Sequence, residues 1–457
     1  MLGGLPYSLP LRSMKRVAFH TLGCKLNFSE TSTLARQFKN AGWTKSLFSD
    51  PAEVYVINTC SVTENADKEC RTMVHRALQA NPEGKVVVVG CYAQLKPHEI
   101  AAMPGVDLVL GANEKFNILN FLSGLDSQNE ALVQACDIEE VNQFISSWSA
   151  GDRTRTFLKV QDGCDYSCTF CTIPLARGRS RSDTIHNVVQ QAEQLVRQGV
   201  QEIVLTGVNL GDFGIREIAG RHDDRFIDLA IALDQVEGLN RVRISSIEPN
   251  LLTEEVIRLT ASSDKFMPHF HMPLQSGSNE ILKMMRRRYQ RELYREKVEL
   301  IKSLIPDAAI GVDVIVGFPG ETEKHFEETF DFLHSLPVSY LHVFTYSERE
   351  NTPAAEMDGV VKVTDRKERN RRLRNLSAKK LHDFSSSFAG DVYPVLFEEE
   401  LRGDKMFGYT TNYIRVSAPY QPELVNKIVR CELTDFGADG LMEVKPINMP
   451  VDVPVNA

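Results

Sequence analysis

Short runs of β-branched residues alternate with helical stretches along most of this chain, and this alternation restricts its fold more than any other feature. Between residues 16 and 122, four such runs begin at Arg16, Val54, Val86 and Val106. Continuous β-branched runs separated by helices predict a parallel sheet that is covered on both faces. The alternation restarts at Thr156, where six more strands are predicted at 157–160, 202–206, 241–245, 269–272, 310–316 and 340–344. Six such units favour a partial (β/α)6 barrel with an open side over a closed barrel of eight strands.

The last part of the chain has a different pattern. Five short strands with turn residues between them are predicted at 392–397, 406–410, 413–416, 428–433 and 441–444, which indicates a small all-β barrel of OB-like size. A polar stretch at 123–153 reads as a linker. The fold class is therefore α/β with a carboxyl-terminal β-barrel. We expect a leader at 1–15, an α/β domain at 16–145, the partial barrel at 152–383 and the small barrel at 386–451.

Charge and composition narrow the functional classes. The net charge of -9 argues against a protein that coats nucleic acid indiscriminately. Two basic runs, Lys283–Lys297 and Lys362–Lys380, nevertheless predict a surface that contacts phosphates, while the small barrel is acidic. No run approaches the roughly 18 apolar residues of a membrane-spanning helix. Nine cysteines without an export signal favour thiolates that bind metal in the reducing cytoplasm over a disulfide framework.

Cys164, Cys168 and Cys171 have the spacing C-x3-C-x2-C. Three thiolates can ligate one iron-sulfur cluster and leave one iron without a protein ligand, and an open iron can chelate a substrate. The alternatives are a zinc site or three unconnected buried cysteines. Structural zinc normally needs a fourth nearby Cys or His, and none follows closely.

Three more cysteines each follow a predicted strand of the amino-terminal sheet: Cys24, Cys60 and Cys91. The carboxyl ends of neighbouring parallel strands meet at one edge of the sheet, where such folds bind ligands. We therefore expect these thiolates to hold a second cluster, again with one iron free; chance burial is the alternative. The remaining cysteines lack this placement and are interpreted as structural: Cys70, Cys136 and Cys431.

The spacing C-x3-C-x2-C is the signature of radical S-adenosylmethionine (SAM) enzymes, and the chain resembles that superfamily. The segments 21–27, 58–63 and 90–94 look like three blocks of the amino-terminal domain of the methylthiotransferases. The resemblance covers nearly the whole chain from residue 16 onward. It implies a Rossmann-like amino-terminal domain, a radical SAM partial barrel and an RNA-binding TRAM domain. It also implies two 4Fe-4S clusters and SAM as cofactors, with an auxiliary cluster on Cys24, Cys60 and Cys91.

Enzymes built on barrels place their chemistry at the carboxyl ends of the strands. By analogy with the family, we expect the SAM pocket to be lined by Thr206, Gly207, Ser246, Glu248, Gln275 and Gly317. Any of these could instead be a turn residue. His269 and His271 are predicted to be packed or hydrogen bonded rather than bound to a metal.

Four arginines are candidates for contact with the substrate, because arginine pairs in a bidentate way with carboxylates and phosphates. Three of them belong to a block at 177–182 that matches the family's R-G-x-x-R-S pattern, and the fourth lies in the first basic run. They are Arg177, Arg179, Arg181 and Arg287.

The resemblance implies that a C–H bond of the substrate is replaced by C–S–CH3. An unactivated C–H bond has no useful acidity, so a radical is required, and the cofactor supplies it. The reduced cluster on Cys164, Cys168 and Cys171 is expected to cleave SAM to a 5'-deoxyadenosyl radical, and the auxiliary cluster is expected to present the sulfur that a second SAM methylates. Both clusters are then expected to face one cavity.

The family acts on isopentenyladenosine in tRNA, on threonylcarbamoyladenosine in tRNA, or on an aspartate of a ribosomal protein. Segments 21–27 and 171–181 are most similar to the threonylcarbamoyladenosine group, and Asn351, where many relatives have Gly, looks like a marker of that subgroup. The expected substrate is the modified adenosine next to the anticodon. The other two substrates remain alternatives, and a non-catalytic RNA-binding iron-sulfur sensor is an alternative of another class. Expected partners are tRNA, an unidentified electron donor and a sulfur source, with no membrane; the chain is expected to be a cytoplasmic monomer.

Overall fold

The computed structural model describes residues 15–61, 64–125, 130–149, 151, 154–215 and 224–447. The predicted leader, apart from Lys15, lies outside these residues. Contacts divide the chain into two compact units. The first unit contains residues up to 136, and the second contains 137 onward together with the short segments 28–30 and 62–64. No helix among the described residues is long and apolar enough to cross a membrane.

The first unit contains a sheet of six parallel strands in the order β2-β1-β3-β4-β5-β6. The strands are β1 Arg16–Thr21, β2 Thr44–Ser46, β3 Val54–Thr59, β4 Lys85–Gly90, β5 Leu108–Leu110 and β6 Leu132–Gln134. Alternate residues of one strand enter different cores, because Val86 and Val88 pack on one face of the sheet whereas Val87 and Val89 pack on the other. Both faces are therefore covered, as the β-branched runs predicted.

Helices connect these strands. They are α1 Lys25–Asn40, α2 Glu64–Ala80, α3 Cys91–Leu95, α4 Pro97–Ala101 and α5 Ile118–Ser123. The four predicted strands are all present, although the fourth begins at Leu108 rather than at Val106. Two strands were not predicted: β2 has three polar residues, and β6 lies inside the stretch interpreted as a linker.

The second unit contains the predicted six-stranded partial barrel. Its strands are β8 Arg155–Lys159, β11 Glu202–Thr206, β12 Arg241–Ile244, β13 His269–Gln275, β14 Ala309–Val316 and β15 Tyr340–Thr345. A parallel bridge between Val242 and Phe266 joins the two halves of the barrel. The short strand β7 Ser147–Trp148 pairs antiparallel with β8. A two-stranded ribbon, β9 Gln161–Asp162 with β10 Arg181–Ser182, closes the loop between them.

Helices between the barrel strands cover their outer side. They are α6 Ile173–Arg177, α7 Ile185–Arg197, α8 Phe226–Asp234, α9 Glu254–Ser262, α10 Asn279–Met284, α11 Arg291–Leu304, α12 Glu323–Ser335 and α13 Val363–Ser386. Their apolar sides join one large core with the barrel strands. This core fixes the strand ends, at which the loops of the candidate site begin.

The small carboxyl-terminal barrel is closed in the strand order β16-β17-β18-β20-β19. Its strands are β16 Val392–Arg402, β17 Lys405–Thr410, β18 Arg415–Pro419, β19 Ile428–Phe436 and β20 Met442–Pro446. All five predicted strands are therefore confirmed. Closure leaves this barrel without an exposed sheet edge.

The small barrel is attached to the amino-terminal ends of the partial-barrel strands. Arg241 donates to the carbonyl oxygen of Pro394 at 2.9 Å, and Arg243 donates to that of Thr411 at 3.2 Å. The ring of Tyr413 stacks on His269 with 4.1 Å between ring centroids, and its φ of +68° turns the loop into that position. Glu202 holds the Arg243 guanidinium at 2.9 Å. These contacts close the end of the partial barrel that lies away from the strand carboxyl ends.

Candidate functional site

The loop that carries Cys164, Cys168 and Cys171 is closed at its base by the ribbon of β9 and β10. Cys164 donates its backbone N–H to the carbonyl oxygen of Gly178 at 3.1 Å. Gly163 has a φ of +69°, and a Cβ there would lie 2.0 Å from the carbonyl oxygen of Arg179, so only glycine fits. The ribbon and this close approach turn a long loop into a fixed frame for three thiols.

Two of the predicted substrate arginines hold this frame together. Arg177 and Arg181 are buried and pair with Asp162 at 3.0 Å and 3.4 Å. Arg181 also donates to the carbonyl oxygens of Arg177 and Arg179. Lys159 joins the same carboxylate at 3.2 Å. Their charges are thus taken up inside the second unit, whereas the side chain of Arg179 is 67% exposed.

The segment after α10 packs against the cysteine loop. Two hydrogen bonds hold Thr169 in place. Its N–H donates to the carbonyl oxygen of Met285 at 3.2 Å, and its hydroxyl donates to the carbonyl oxygen of Met284 at 3.0 Å. Arg288 lies over the ring of Tyr166 at 3.9 Å and donates to the carbonyl oxygen of Asp165. The first basic run therefore serves in part to hold the loop.

Arg287, which was predicted to bind substrate, contacts Cys168 of the cysteine loop. Its guanidinium donates to the Sγ of Cys168 at 3.1 Å and to the carboxylate of Glu248. Burial raises the pKa of Glu248 despite this cation. Tyr289 accepts from Arg287 at 3.2 Å and donates to the carbonyl oxygen of Pro273 at 2.7 Å. Glu248, which was predicted to line the SAM pocket, is thus part of a buried group centred on Arg287.

The three thiols fit an iron-sulfur cluster. Burial raises the pKa of Cys164 and of Cys168, and it raises the pKa of Cys171 to about 12. Bare thiolates are therefore unfavourable in this place, and metal charge offsets their desolvation. The donor set also matches the preference of iron-sulfur clusters for cysteine sulfur.

Two cavities meet the cysteine loop. The larger has a volume of about 680 Å³ and is lined by all three cysteines, with Arg179, Arg286 and Asn351 at its wall. The smaller, of about 230 Å³, is lined by Cys171 and by the barrel-facing residues Gln275, Asp313, Ile315 and Phe344. A cluster on these thiols would therefore have open space on two sides.

The residues predicted to line the SAM pocket have different surroundings from one another in the structure. Gln275 lines the smaller cavity with a φ of +69°. Ser246 is partly exposed, whereas the hydroxyl of Thr206 donates to the carbonyl oxygen of Val204 within its own strand. The two glycines pack tightly: a Cβ at Gly207 would lie 2.9 Å from Gln161, and one at Gly317 would lie 2.3 Å from Arg366.

The two histidines of β13 are hydrogen bonded, as predicted. His269 pairs with the hydroxyl of Tyr340 at 2.7 Å, and His271 pairs with Asp313 at 2.9 Å. The pair of His271 and Asp313 lies in the barrel beside the smaller cavity.

In the first unit, the three other cysteines follow adjacent strands of one sheet. Cys24 precedes α1, Cys60 directly follows β3 and Cys91 directly follows β4. Thr59 pairs with Gly90 in the sheet, so the residues just before Cys60 and Cys91 are neighbours. A Cβ on Gly23 would lie 2.5 Å from the Cβ of Cys60. The strand ends therefore bring the three positions to one edge of the sheet.

A buried polar network fixes this edge. Asn27 donates to the carbonyl oxygens of Leu22 at 2.8 Å and Thr59 at 2.9 Å. Asn58 donates to the carbonyl oxygen of Asn27 at 2.9 Å, and the hydroxyl of Thr59 donates to that of Val89 at 2.6 Å. The network ties the loops after β1, β3 and β4 to one another. Hydrogen bonds in a buried network of this kind make the arrangement rigid.

The helix α13 contains the second basic run, and its cations are mostly engaged. Arg369 pairs with Glu321 at 2.6 Å, and Arg372 pairs with Glu327 at 2.7 Å. Three exposed cations form no ion pair within the described ranges: Lys362, Lys367 and Arg374. Of the nine Lys and Arg residues between Lys362 and Lys380, only these three are both exposed and without an ion pair among the described residues, so only they are readily available to a phosphate.

Sequence reasoning missed several residues that build the site. Gln161 accepts from the N–H of Asn209 at 2.8 Å and donates to the hydroxyl of Ser180 at 2.9 Å, which links the loop after β11 to the cysteine loop. Asp162 forms ion pairs with the buried cations Lys159, Arg177 and Arg181. Their position directly before Gly163 was the available signal. Asn351 has a φ of +63°, a conformation that glycine and asparagine tolerate best, which explains why either residue suits this position.

Two family models match the chain. Residues 16–111 match an uncharacterized protein family, UPF0004, and residues 158–333 match the radical SAM superfamily. Over 431 residues the chain is 42% identical to threonylcarbamoyladenosine tRNA methylthiotransferase MtaB of Bacillus subtilis (strain 168). This match covers 93% of this chain and 95% of that protein. It is 30% identical over 451 residues to tRNA-2-methylthio-N(6)-dimethylallyladenosine synthase of Symbiobacterium thermophilum, covering 95% of this chain and 96% of that one.

Among solved structures, the chain is similar to the radical SAM methyltransferase TsrM from Kitasatospora setae, a structure that holds cobalamin and a 4Fe-4S cluster. The TM-score is 0.54 at 17% sequence identity, and the match covers 75% of this chain and 77% of that one. At this identity the likeness concerns the fold.

Proposed function

Because this chain belongs to the radical SAM methylthiotransferase family, we propose that it converts N6-threonylcarbamoyladenosine next to the anticodon of tRNA into its 2-methylthio derivative. The observation that carries the reaction type is the presence of two separate groups of three cysteines, one after neighbouring parallel strands of the first unit and one in the single loop that follows β8 and β9. The substrate follows from the relatives, since identity is higher to the threonylcarbamoyladenosine enzyme than to the dimethylallyladenosine enzyme.

Two 4Fe-4S clusters and SAM are the cofactors. Cys164, Cys168 and Cys171 hold the radical SAM cluster, and Cys24, Cys60 and Cys91 hold the auxiliary one. When bound, the clusters and SAM supply the one-electron chemistry that opens an unactivated C–H bond and the sulfur that replaces the hydrogen. For SAM itself we retain the six predicted residues as candidates: Thr206, Gly207, Ser246, Glu248, Gln275 and Gly317.

Some residues around the cysteine loop keep it rigid, and others line the cavity through which a substrate would approach it. Asp162 holds Arg177 and Arg181 at the base of the loop, and Arg287 fixes Cys168. Arg179 and Arg286 lie at the wall of the larger cavity and are the arginines placed to meet a phosphate or the threonyl carboxylate. We propose that the enzyme works as a cytoplasmic monomer with a separate electron donor and sulfur source.

The decisive experiment is mass spectrometry of nucleosides from tRNA of cells with and without the active gene. We expect 2-methylthio-threonylcarbamoyladenosine only in cells with the gene. A 2-methylthio derivative of isopentenyladenosine, or a methylthio group on a ribosomal protein, would overturn the substrate assignment. If the reconstituted protein forms no 5'-deoxyadenosine with SAM and reductant, the enzyme assignment is wrong and the iron-sulfur sensor is favoured.

Two variants separate the cysteine groups. Cys91→Ala is expected to keep SAM cleavage and lose methylthiolation, whereas Cys168→Ala is expected to lose both, because only the second unit carries the SAM cluster. Cys70→Ala is the matched control, since this thiol lies in the apolar core of the first unit rather than at a strand end. Loss of SAM cleavage in Cys91→Ala would contradict separate clusters. The readouts are 5'-deoxyadenosine and modified nucleoside from the same reaction.

A further inference from the structure

Inside the partial barrel, three potential metal ligands come together on neighbouring strands. His271 is on β13, Asp313 on β14 and His342 on β15. Each offers one ligand atom, and these three atoms lie within 4.8 Å of one another. The Nε2 atom of His271 lies 2.9 Å from Oδ1 of Asp313. The ring centroids of His271 and His342 are 5.3 Å apart, and the angle between the ring planes is 82°. The sequence predicted His271 to be hydrogen bonded rather than bound to a metal, a prediction that the proposal below reverses, and neither Asp313 nor His342 was a predicted site residue.

Strand geometry explains why these side chains meet. Asp313 is the direct partner of His342 in the parallel pairing of β14 with β15. His271 pairs with Gly311, two residues before Asp313, and side chains two apart on a strand point to the same face. All three therefore project from one face of the sheet, and the ring of Tyr340 packs over Gly311 beside them.

The surroundings leave one side of this cluster open. Asp313 lines the smaller cavity, of about 230 Å³, together with apolar Ile315 and Phe344. A carboxylate beside an apolar wall loses hydration, and a bound cation offsets that loss. Two imidazoles and one carboxylate are the donor set of zinc sites and of non-haem iron(II) sites, which keep further coordination positions open. Magnesium and calcium prefer oxygen donors only.

We propose that His271, Asp313 and His342 bind one divalent first-row transition-metal ion, separate from both iron-sulfur sites, with its open coordination positions facing the smaller cavity. The ion would bind an oxygen atom of water or of a molecule held in that cavity. The inference does not rest on the proposed reaction, because metal binding is measured without tRNA, SAM or reductant.

The test uses the full chain with both clusters loaded, so that the cluster cysteines are already occupied. Zinc chloride is the probe, bound metal is counted by equilibrium dialysis with mass spectrometry, and the ligands are identified by zinc K-edge X-ray absorption. We expect one zinc per chain with nitrogen and oxygen neighbours, including imidazole. Sulfur neighbours, or no bound zinc at concentrations of about 100 µM, well above typical protein-site affinities, would overturn the proposal.

Variants locate the metal. His342→Ala and Asp313→Asn are each expected to weaken zinc binding by at least about 10-fold, the smallest effect usual even for residues that only support a ligand. His334→Ala is the matched control, because this exposed histidine stacks on Phe330 on the helix α12. Iron content and circular dichroism check that each variant is folded. Unchanged affinity in a folded, iron-replete His342→Ala would show that the three residues form only a hydrogen-bonded cluster.

Discussion

Gly23 shows how strictly one position controls the cysteine site of the first unit. Its φ is +93°, and a Cβ would lie 2.5 Å from the Cβ and 2.8 Å from the Sγ of Cys60. We predict that Gly23→Ala displaces Cys60 and that the purified enzyme lacks the iron of one cluster while it still cleaves SAM. The measurements are iron content and 5'-deoxyadenosine. Gly42→Ala is the control, because its φ is +85° but no atom lies within 4 Å of a Cβ there; full iron in Gly23→Ala would contradict the prediction.

Arg287 is placed to tune the radical SAM cluster. Its charged N–H group donates to the Sγ of Cys168 at 3.1 Å, and such a bond favours the more negative, reduced form of a cluster. We predict that Arg287→Gln lowers the midpoint potential by on the order of 50 mV, the one-electron equivalent of roughly 1 kcal/mol for a hydrogen bond. The measurement is a redox titration followed by electron paramagnetic resonance. Arg291→Gln, which removes a charge bound to Glu292 instead, should leave the potential unchanged.

At the scale of single residues, the sequence could identify the cysteines as metal ligands. It could not show which contacts the long arginine side chains make. The cysteines were recognisable because strand ends fix their backbone positions. Arg177 and Arg181 belong to the same 177–182 block as Arg179, yet they turn inward to Asp162 while Arg179 lies at the cavity. That difference depends on the pairing of β9 with β10, which two residues on each strand do not reveal.

Among the elements, those with a strong period were predictable and those fixed by tertiary contacts were not. The six strands of the partial barrel are four to eight residues long and rich in apolar or β-branched residues, and all six were predicted. Strands β2 and β6 have only three residues each, and they form because a neighbouring edge offers backbone hydrogen bonds. The acidic partners of Arg369 and Arg372 lie on another helix, α12, and its preceding loop, so the sequence of α13 alone did not reveal these two ion pairs.

The attachment of the small barrel to the partial barrel depends on the buried carboxylate of Glu202. Burial alone would raise its pKa, but Arg243, together with Arg155 and Arg241, outweighs burial, and the pKa of Glu202 is lowered to about 2. A lowered pKa means that Glu202 stabilises the fold above about pH 4.5 and that this stabilisation is lost as the pH falls toward 2.

We therefore predict that Glu202→Gln lowers the free energy of unfolding by about 3 kcal/mol at pH 7, because it leaves buried arginines without their counterion. The difference from the wild type should shrink as the pH falls below about 4.5. Urea unfolding followed by circular dichroism at several pH values measures both effects. Glu255→Gln removes an exposed partner of Arg225 and should cost less than about 1 kcal/mol. A pH-independent difference for Glu202→Gln would contradict the argument.

Over the whole molecule, positive charge is concentrated rather than abundant. The chain has a net charge of -9, yet Arg179 and Arg286 line the cavity of the cysteine loop and Arg288 lies over Tyr166 in its wall. In contrast, five of the eight cations of the long basic helix α13 form ion pairs, two of them with α12 and the loop before it. A tRNA anticodon loop should therefore be held mainly at the cavity and less by the helix.

We predict that replacing Arg179, Arg286 and Arg288 with Gln weakens tRNA binding and flattens its salt dependence. Each arginine that contacts a phosphate contributes about 0.7 to 0.9 to the slope of log affinity against log salt. Fluorescence anisotropy of an anticodon stem-loop across a potassium chloride series measures both quantities. The control replaces three exposed cations of α13, Lys362, Lys367 and Arg374, and thus removes the same charge. If both triple variants lost the same affinity and slope, general attraction rather than the cavity wall would govern binding.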